Sequence, residues 1–391
     1  MFAGACAARQ AALSSSPPPA VEEAPAAEPP PPEVRRGPWK AWNDPVFDAA
    51  RTFTLHALDV GQGAATLLEF PCGAMLVDAG AEVSTHFDGV KLLKRQLEAF
   101  FARRTDLQRR LDVLVLTHPH LDHVRGAAWV LSALQVGALV DDGRPGAELA
   151  RPLVEEVLRL AQERNIPRRS VTDAELEGTE GYAPRELDPL VCPEVDPRIR
   201  ALHGGFTSDP GWGLGFGERR NFDNDNNHSV ALRVDFGKAS VLITGDLEEP
   251  ALRTLNARWR GTGLLDVDLY VVGHHGSHNG TTRELVDAMT PLAAVVSMGR
   301  ATRREDWTAW KYGHPRQKAI AVIEAADSLW PRPFPSTVQW ASGQTKFDSH
   351  EMDRAVFGTG WDGPVDFRLA SDGSVAVKWR DGTRPRASPS P

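Results

Sequence analysis

The sequence of 391 residues has few cysteines, no long apolar run and no excess of positive charge, and each shortage removes a class of protein. Cys6, Cys72 and Cys192 form an odd, sparse set without C-x-x-C spacing. They do not read as a disulfide framework or as thiolate ligands, so any metal must be held by imidazole and carboxylate. No stretch reaches the roughly 18 consecutive apolar residues of a transmembrane helix, so no membrane-spanning segment is expected. The net charge of −8 argues against non-specific binding to long nucleic acid, which takes a basic surface, but leaves room for a small basic mouth around an active site. Apolar residues make up 41% of the chain, enough for a sizeable core in one large domain or two ordinary ones.

Residues 1–37 are rich in Ala, Pro and Ser and include the run Pro29-Pro30-Pro31-Pro32. Such a stretch buries too little surface to offset its ordering entropy and reads as a disordered tether. Within it, Ala3-Gly4-Ala5-Cys6 resembles the remnant of a lipoprotein cleavage site, which sets an envelope location beside a cytoplasmic one. The folded part is placed at 38–382, with 141–227 as a long turn-rich insertion and 383–391 as a disordered tail. Apolar runs and turn signals predict strands at 53–60, 65–70, 74–78, 111–116, 229–236, 238–244, 268–272 and 292–297, and a closing hairpin at 365–369 and 374–379. Helical spacing is expected around 90–100 and at 124–134, 149–161, 249–259, 282–289 and 315–326. Hairpins mixed with alternating strands and helices imply an α/β sandwich of two mixed sheets flanked by helices.

The densest chemistry lies in Thr117-His118-Pro119-His120-Leu121-Asp122-His123, directly after an apolar strand. A strand that breaks there into a loop and a helix can turn alternate side chains into one pocket. Imidazole nitrogens and carboxylate oxygens are the donors that zinc, manganese or iron accept. A solvated polar loop is the plainer alternative, and four potential ligands after a buried strand argue against it.

The H-x-H-x-D-H run resembles the signature of the metallo-β-lactamase superfamily. Five further segments resemble the hydrolase domain of ComEC-type DNA-uptake proteins and its stand-alone relatives: Leu58-Asp59-Val60-Gly61-Gln62-Gly63, Leu76-Val77-Asp78-Ala79-Gly80, Ile243-Thr244-Gly245-Asp246, Gly273-His274-His275-Gly276-Ser277 and Tyr312-Gly313-His314-Pro315. The resemblance runs from about Phe53 to Ala326 and implies the αββα fold. It also implies two divalent ions, zinc or alternatively manganese. His118 and His120 would hold the first ion, Asp122, His123 and His274 the second, and Asp246 would bridge them. The remaining ligand of the first site would be His228, with His203 as the weaker substitute. A pair of ions roughly 3.5–4 Å apart would make a bridging hydroxide available near neutral pH. Asp122 would orient it.

The other residues of these segments carry two readings each. His275 would assist the leaving group or pack against its loop. His314 would bind phosphate or act as an acid, or merely start a helix. Asp59 and Asp78 would orient imidazoles or form turns. Gln62 sits in a glycine turn near the metals. Ser277 would touch substrate or, slightly favoured, cap the following helix. Arg219 and Arg220 would fork onto phosphate or remain solvated. Three functions follow. The first is a phosphodiesterase, nuclease-like on short or single-stranded nucleic acid. The second is a hydrolase of a thioester, lactone or β-lactam. The third is a non-enzymatic metal-binding module. The fold alone does not choose among them.

Overall fold

In the strand Arg110–Val115 neighbouring side chains go to opposite sides, Val113 and Val115 into one apolar cluster and Leu114 into another. Met75 and Val77 part from Leu76 in the same way, and Leu68 from Leu67. A strand buried on both faces reads as a continuous apolar run, which is how these segments appear in the sequence. The computed structural model describes residues 39–176, 178–207 and 221–379. The expected tether, with Cys6, and the tail at 383–391 lie outside them, as do Arg219 and Arg220.

The strands form two large mixed sheets. One runs Val375–Trp379, Val365–Ala370, Thr52–Ala57, Thr66–Glu69, Ala74–Val77, Arg110–Val115, Gln135–Asp141, Arg168–Ser170. Its first five strands pair antiparallel and the rest parallel. The other runs Val356–Gly358, Ala293–Val296, Leu269–Val272, Ala239–Ile243, Ala231–Phe236, Arg198–His203. Phe53, Leu55, Phe70 and Val113 of the first sheet share a core with Ile199, Leu232, Val234 and Val241 of the second.

Helices cover the outer faces. Gly89–Arg103 is capped by Asp88, whose side chain accepts from the Lys91 backbone N–H, and it buries Leu93, Leu97 and Phe100 against Leu76 and Leu114. Glu249–Trp259, Arg283–Met289 and Gln317–Glu324 bring Leu255, Val286 and Ile320 to the core of the second sheet. This is the α/β sandwich that the sequence pattern predicts. The stretch 141–227 contains the helix expected near 149–161, found at Arg151–Glu163, and two strands that the sequence reading does not place, Arg168–Ser170 and Arg198–His203. A two-stranded ribbon, Pro331–Gly343 with Lys346–Arg354, is also present. No helix among the described residues is long and apolar enough to cross a membrane.

The cysteines depart from the sequence reading. Cys72, in the turn between Thr66–Glu69 and Ala74–Val77, is disulfide-bonded to Cys192, 120 positions away. Sparse cysteines give no spacing signal for such a pair, because the fold and not the chain brings them together. A bridge that closes a long loop restricts the unfolded chain, so Cys72→Ser should lower the unfolding free energy by about 2–5 kcal/mol. Urea melts of the native chain and the variant, with and without reductant, check this. Equal midpoints for oxidised native chain and variant would contradict it.

Candidate metal centre

The chemistry collects where parallel strands end. Asp78 follows Ala74–Val77, His118 follows Arg110–Val115 by three positions, Asp246 follows Ala239–Ile243 and the His274-His275 pair follows Leu269–Val272. Open α/β sheets bind ligands beyond these carboxyl ends. The loop carrying the histidine run is tucked tightly against the strand ends. The Ala64 N–H donates to the Asp122 carbonyl (2.9 Å), and a Cβ on Gly80 would stand 1.5 Å from that same oxygen. Gly80 is therefore required by close approach alone.

Asp78 orients His123 and the start of the histidine run. Its carboxylate accepts from the Thr117 backbone N–H (2.7 Å) and hydroxyl (2.9 Å), and its Oδ2 lies 2.7 Å from His123 Nδ1. His123 thus donates its Nδ1–H to Asp78 and turns Nε2 inward, 3.2 Å from Asp246 Oδ1. His275 Nδ1 lies 2.8 Å from the Ser297 carbonyl, which only accepts, so His275 also turns Nε2 inward. That nitrogen is 3.3 Å from Asp122 Oδ2, 3.5 Å from Asp246 Oδ2 and 3.2 Å from His123 Nε2. His118 Nε2 is buried, 4.0 Å from Asp246 Oδ2, and has no hydrogen-bond partner. His120 packs its ring 4.6 Å from that of His118 and lines the adjoining cavity.

Two donor sets result, His118 with His123 and Asp246, and Asp122 with His123 and His275. Within each, the donor atoms lie within 4.8 Å of one another. Burial opposes charge on Asp122 and Asp246, yet a hydrogen bond from His275 and the charge of His123 hold Asp122 well below the usual carboxylate range, and the charges of His123 and His275 do so for Asp246. Burial likewise opposes the cation on His123, and Asp246 and Asp78 outweigh it. His118 is pushed well below its ordinary value by burial and by its neighbours His123 and His120. Ionised carboxylates, an orphaned buried imidazole nitrogen and two Nε2 atoms facing each other are what divalent cations satisfy.

His274, His228 and the substitute His203, expected as ligands, stand outside these two donor sets. His274 adopts a left-handed conformation (φ 50°), as does His275 (φ 51°), and this tight turn sends His275 into the cluster. His274 lines the cavity instead, 3.4 Å from Asn226 Nδ2 and 3.7 Å from Glu248 Oε1. Of the pair, His275 belongs to a donor set and His274 does not. His228 ends the 3-10 turn Asp225–His228 and uses both ring nitrogens on backbone: Nδ1 accepts from the Phe206 N–H (2.9 Å) and Nε2 donates to the Phe222 carbonyl (2.7 Å). His203 donates to the Ser229 carbonyl and belongs to neither donor set; burial pulls its pKa down to about 4. What the same segment offers the cavity is Asn226. Its Nδ2 donates to Glu248 Oε1 (2.9 Å), and its Oδ1 is buried without a partner. The sequence signal for it was the Asn226-Asn227 pair beside His228.

Asp59 accepts from the Gly61 N–H (3.3 Å), as a turn former does. Ser277 donates to Asn279 Oδ1, while Thr282 itself caps the following helix. His314 and Gln62 are hydrogen-bonded to each other and line the cavity, about 310 Å³ in volume, together with Tyr312 of the same segment as His314 and with Arg125, Trp307 and Leu149, to which the sequence reading gives no role. Arg125 follows the histidine run by two positions and donates to the Ala81 carbonyl (2.9 Å).

The sequence profile of the metallo-beta-lactamase superfamily matches residues 58–300, and the chain belongs to this superfamily, whose fold is that of metal-dependent hydrolases that bind divalent ions. The chain is 25% identical over 276 residues to ComE operon protein 3 of Bacillus subtilis, covering 68% of this chain and 30% of that one. It is 28% identical over 263 residues to Recombination protein 2 of Haemophilus influenzae, covering 67% and 26%. These relatives are ComEC-type competence proteins, and the chain spans less than a third of their length. Among solved structures it is similar to the metallo-beta-lactamase fold protein YhfI from Bacillus subtilis, at 11% identity and a TM-score of 0.35, covering 63% of this chain and 85% of that one.

Removing a partner that orients a ligating imidazole costs about 10–100-fold in metal affinity, and Asp78→Ala should show a loss of that size in zinc titrations. His275→Ala should lower the zinc bound per chain, whereas His228→Ala should leave it unchanged in the folded protein. The reverse pattern would show the donor sets to be misassigned.

Proposed function

We propose that the chain is a dinuclear metal-dependent phosphodiesterase, nuclease-like in acting on short or single-stranded nucleic acid. The observation that carries this reading is the interlocking of the two donor sets through His123, with Asp246 in reach of both. His118, His120 and Asp246, with the orphaned Asn226 oxygen, would hold one ion. Asp122, His123 and His275, with Asp246, would hold the other. Zinc fits this imidazole and carboxylate set, and manganese is compatible with it. What two such cations supply when bound is Lewis acidity, which lowers the pKa of water and neutralises an anionic reacting group.

The chain's own residues supply orientation. Asp78, Thr117 and the Ser297 carbonyl fix the rings of His123 and His275. Arg125 brings a guanidinium to the cavity wall, where a phosphate is a natural partner. The relatives are ComEC-type competence proteins and one is named for recombination, which favours a nucleic-acid substrate. A second reading rests on the same cavity's apolar wall, formed by Leu121, Ala147, Leu149 and Trp307, of which Leu149 and Trp307 are exposed. That wall suits the apolar body of a thioester, lactone or β-lactam.

Purified metal-loaded protein assayed on bis(p-nitrophenyl) phosphate, an acyl thioester and nitrocefin separates the readings. Hydrolysis of the diester that is lost in both His120→Ala and Asp246→Ala is the expected outcome. Turnover of the thioester or nitrocefin alone would favour the second reading. Diester cleavage that survives in both variants would mean that the activity arises elsewhere.

A further inference from the structure

Gln62 lies near the start of the stretch that matches the superfamily profile and His314 lies beyond its end, 252 positions away, yet they meet at the cavity with Gln62 Nε2 3.1 Å from His314 Nδ1. An amide has one end that only accepts and one that only donates. The end assignment is set by a second contact, in which the Gly299 backbone N–H lies 3.3 Å from Gln62 Oε1. A backbone N–H can only donate, so Oε1 belongs there and the amide NH2 faces the imidazole. The reversed amide would set NH2 against the Gly299 N–H, donor against donor. An NH2 facing Nδ1 requires that nitrogen to accept, so it carries no proton. The single N–H of the neutral ring is then on Nε2, the nitrogen left for the cavity.

The amide is held at both its backbone and its side chain. The Gln62 backbone N–H donates to Glu82 Oε2 (2.8 Å). Glu82 is fully buried, and its other oxygen accepts from Arg303 Nη1 (2.6 Å), whose guanidinium lies 3.5 Å over the Phe87 ring. Gly299 closes the clamp because it lacks a side chain: a Cβ there would stand 2.7 Å from Glu82 Oε2 and 2.9 Å from the Gln62 nitrogen.

We infer that Gln62 is a positioning residue that fixes His314 as the Nε2–H tautomer, so that this ring presents a hydrogen-bond donor, and not a base, to the oxygen of the substrate. The tautomer follows from geometry alone; its use on a phosphoryl oxygen rests on the diesterase reading. Neither reading of His314 in the sequence, phosphate binder or acid, needs Gln62. The contact supplies the reason that both require the proton on the cavity side.

The test is a long-range ¹H–¹⁵N spectrum of the full chain labelled in histidine, metal-free and zinc-loaded, with His314 identified by its loss in His314→Asn. The native chain should show His314 as the Nε2–H tautomer. In Gln62→Glu, whose carboxylate accepts, the proton should move to Nδ1. If that variant does not fold, Gln62→Leu should instead give a mixture of tautomers. An Nδ1–H pattern in the native chain, or an unchanged pattern in the folded Gln62 variant, overturns the inference. In turnover of the diester, Gln62→Glu should lower kcat by about 10²-fold, the size of one lost donor, with KM little changed. The same substitution should have no further effect in a His314→Gln background, and a full additional loss there would assign Gln62 another role. The spectrum needs no turnover, so a chain inactive on every ester still decides the tautomer, and failure of the diesterase reading is distinguished from failure of this one.

Discussion

The site depends on a crowd of electron pairs aimed at one small buried space. Asp78 accepts a hydrogen bond from His123 Nδ1–H and the Ser297 carbonyl accepts one from His275 Nδ1–H, so both rings turn Nε2 toward the carboxylates of Asp122 and Asp246. Two such nitrogens stand 3.2 Å apart. Acceptors that face acceptors in a buried space are costly unless a positive charge sits among them. Protons can fill that role, which is why His123 and His275 are pushed toward their cationic forms when no metal competes. Divalent cations fill it better, because each meets several of these donors at once.

The sandwich supplies the rigidity that such a crowd demands. The ligands ride on the ends of strands whose side chains are buried on both faces. Each imidazole is oriented by a group from another segment: His123 by Asp78, His275 by Ser297 and His314 by Gln62. Distant parts of the chain therefore meet at the centre only when both sheets have formed. The Cys72–Cys192 bridge ties a turn of the first sheet to the segment leading into the edge strand of the second. Bridges of this kind persist in oxidising surroundings.

Much of this is legible in the residues. The histidine run is dense enough to declare itself, and strands buried on both faces show as short apolar runs such as Leu111 to Leu116. What is not legible is local backbone geometry. His274 and His275 are equivalent as residue types, and only the left-handed turn decides which one faces inward. His228 looks the better ligand beside Asn226, but the 3-10 turn points it at Phe206 and Phe222. The disulfide is invisible because pairing is a property of the fold. The ribbon Pro331–Gly343 with Lys346–Arg354 escapes because most of its side chains are not buried, so no apolar run marks it.

Crystals of zinc-loaded protein, with anomalous diffraction measured at the zinc edge, put the central claim to its most direct test. The account predicts two peaks, one among His118, His120, Asn226 and Asp246 and one among Asp122, His123, His275 and Asp246. A fully loaded crystal with no peak among these side chains, or with zinc held by His228 or His274 in place of His275, would contradict it.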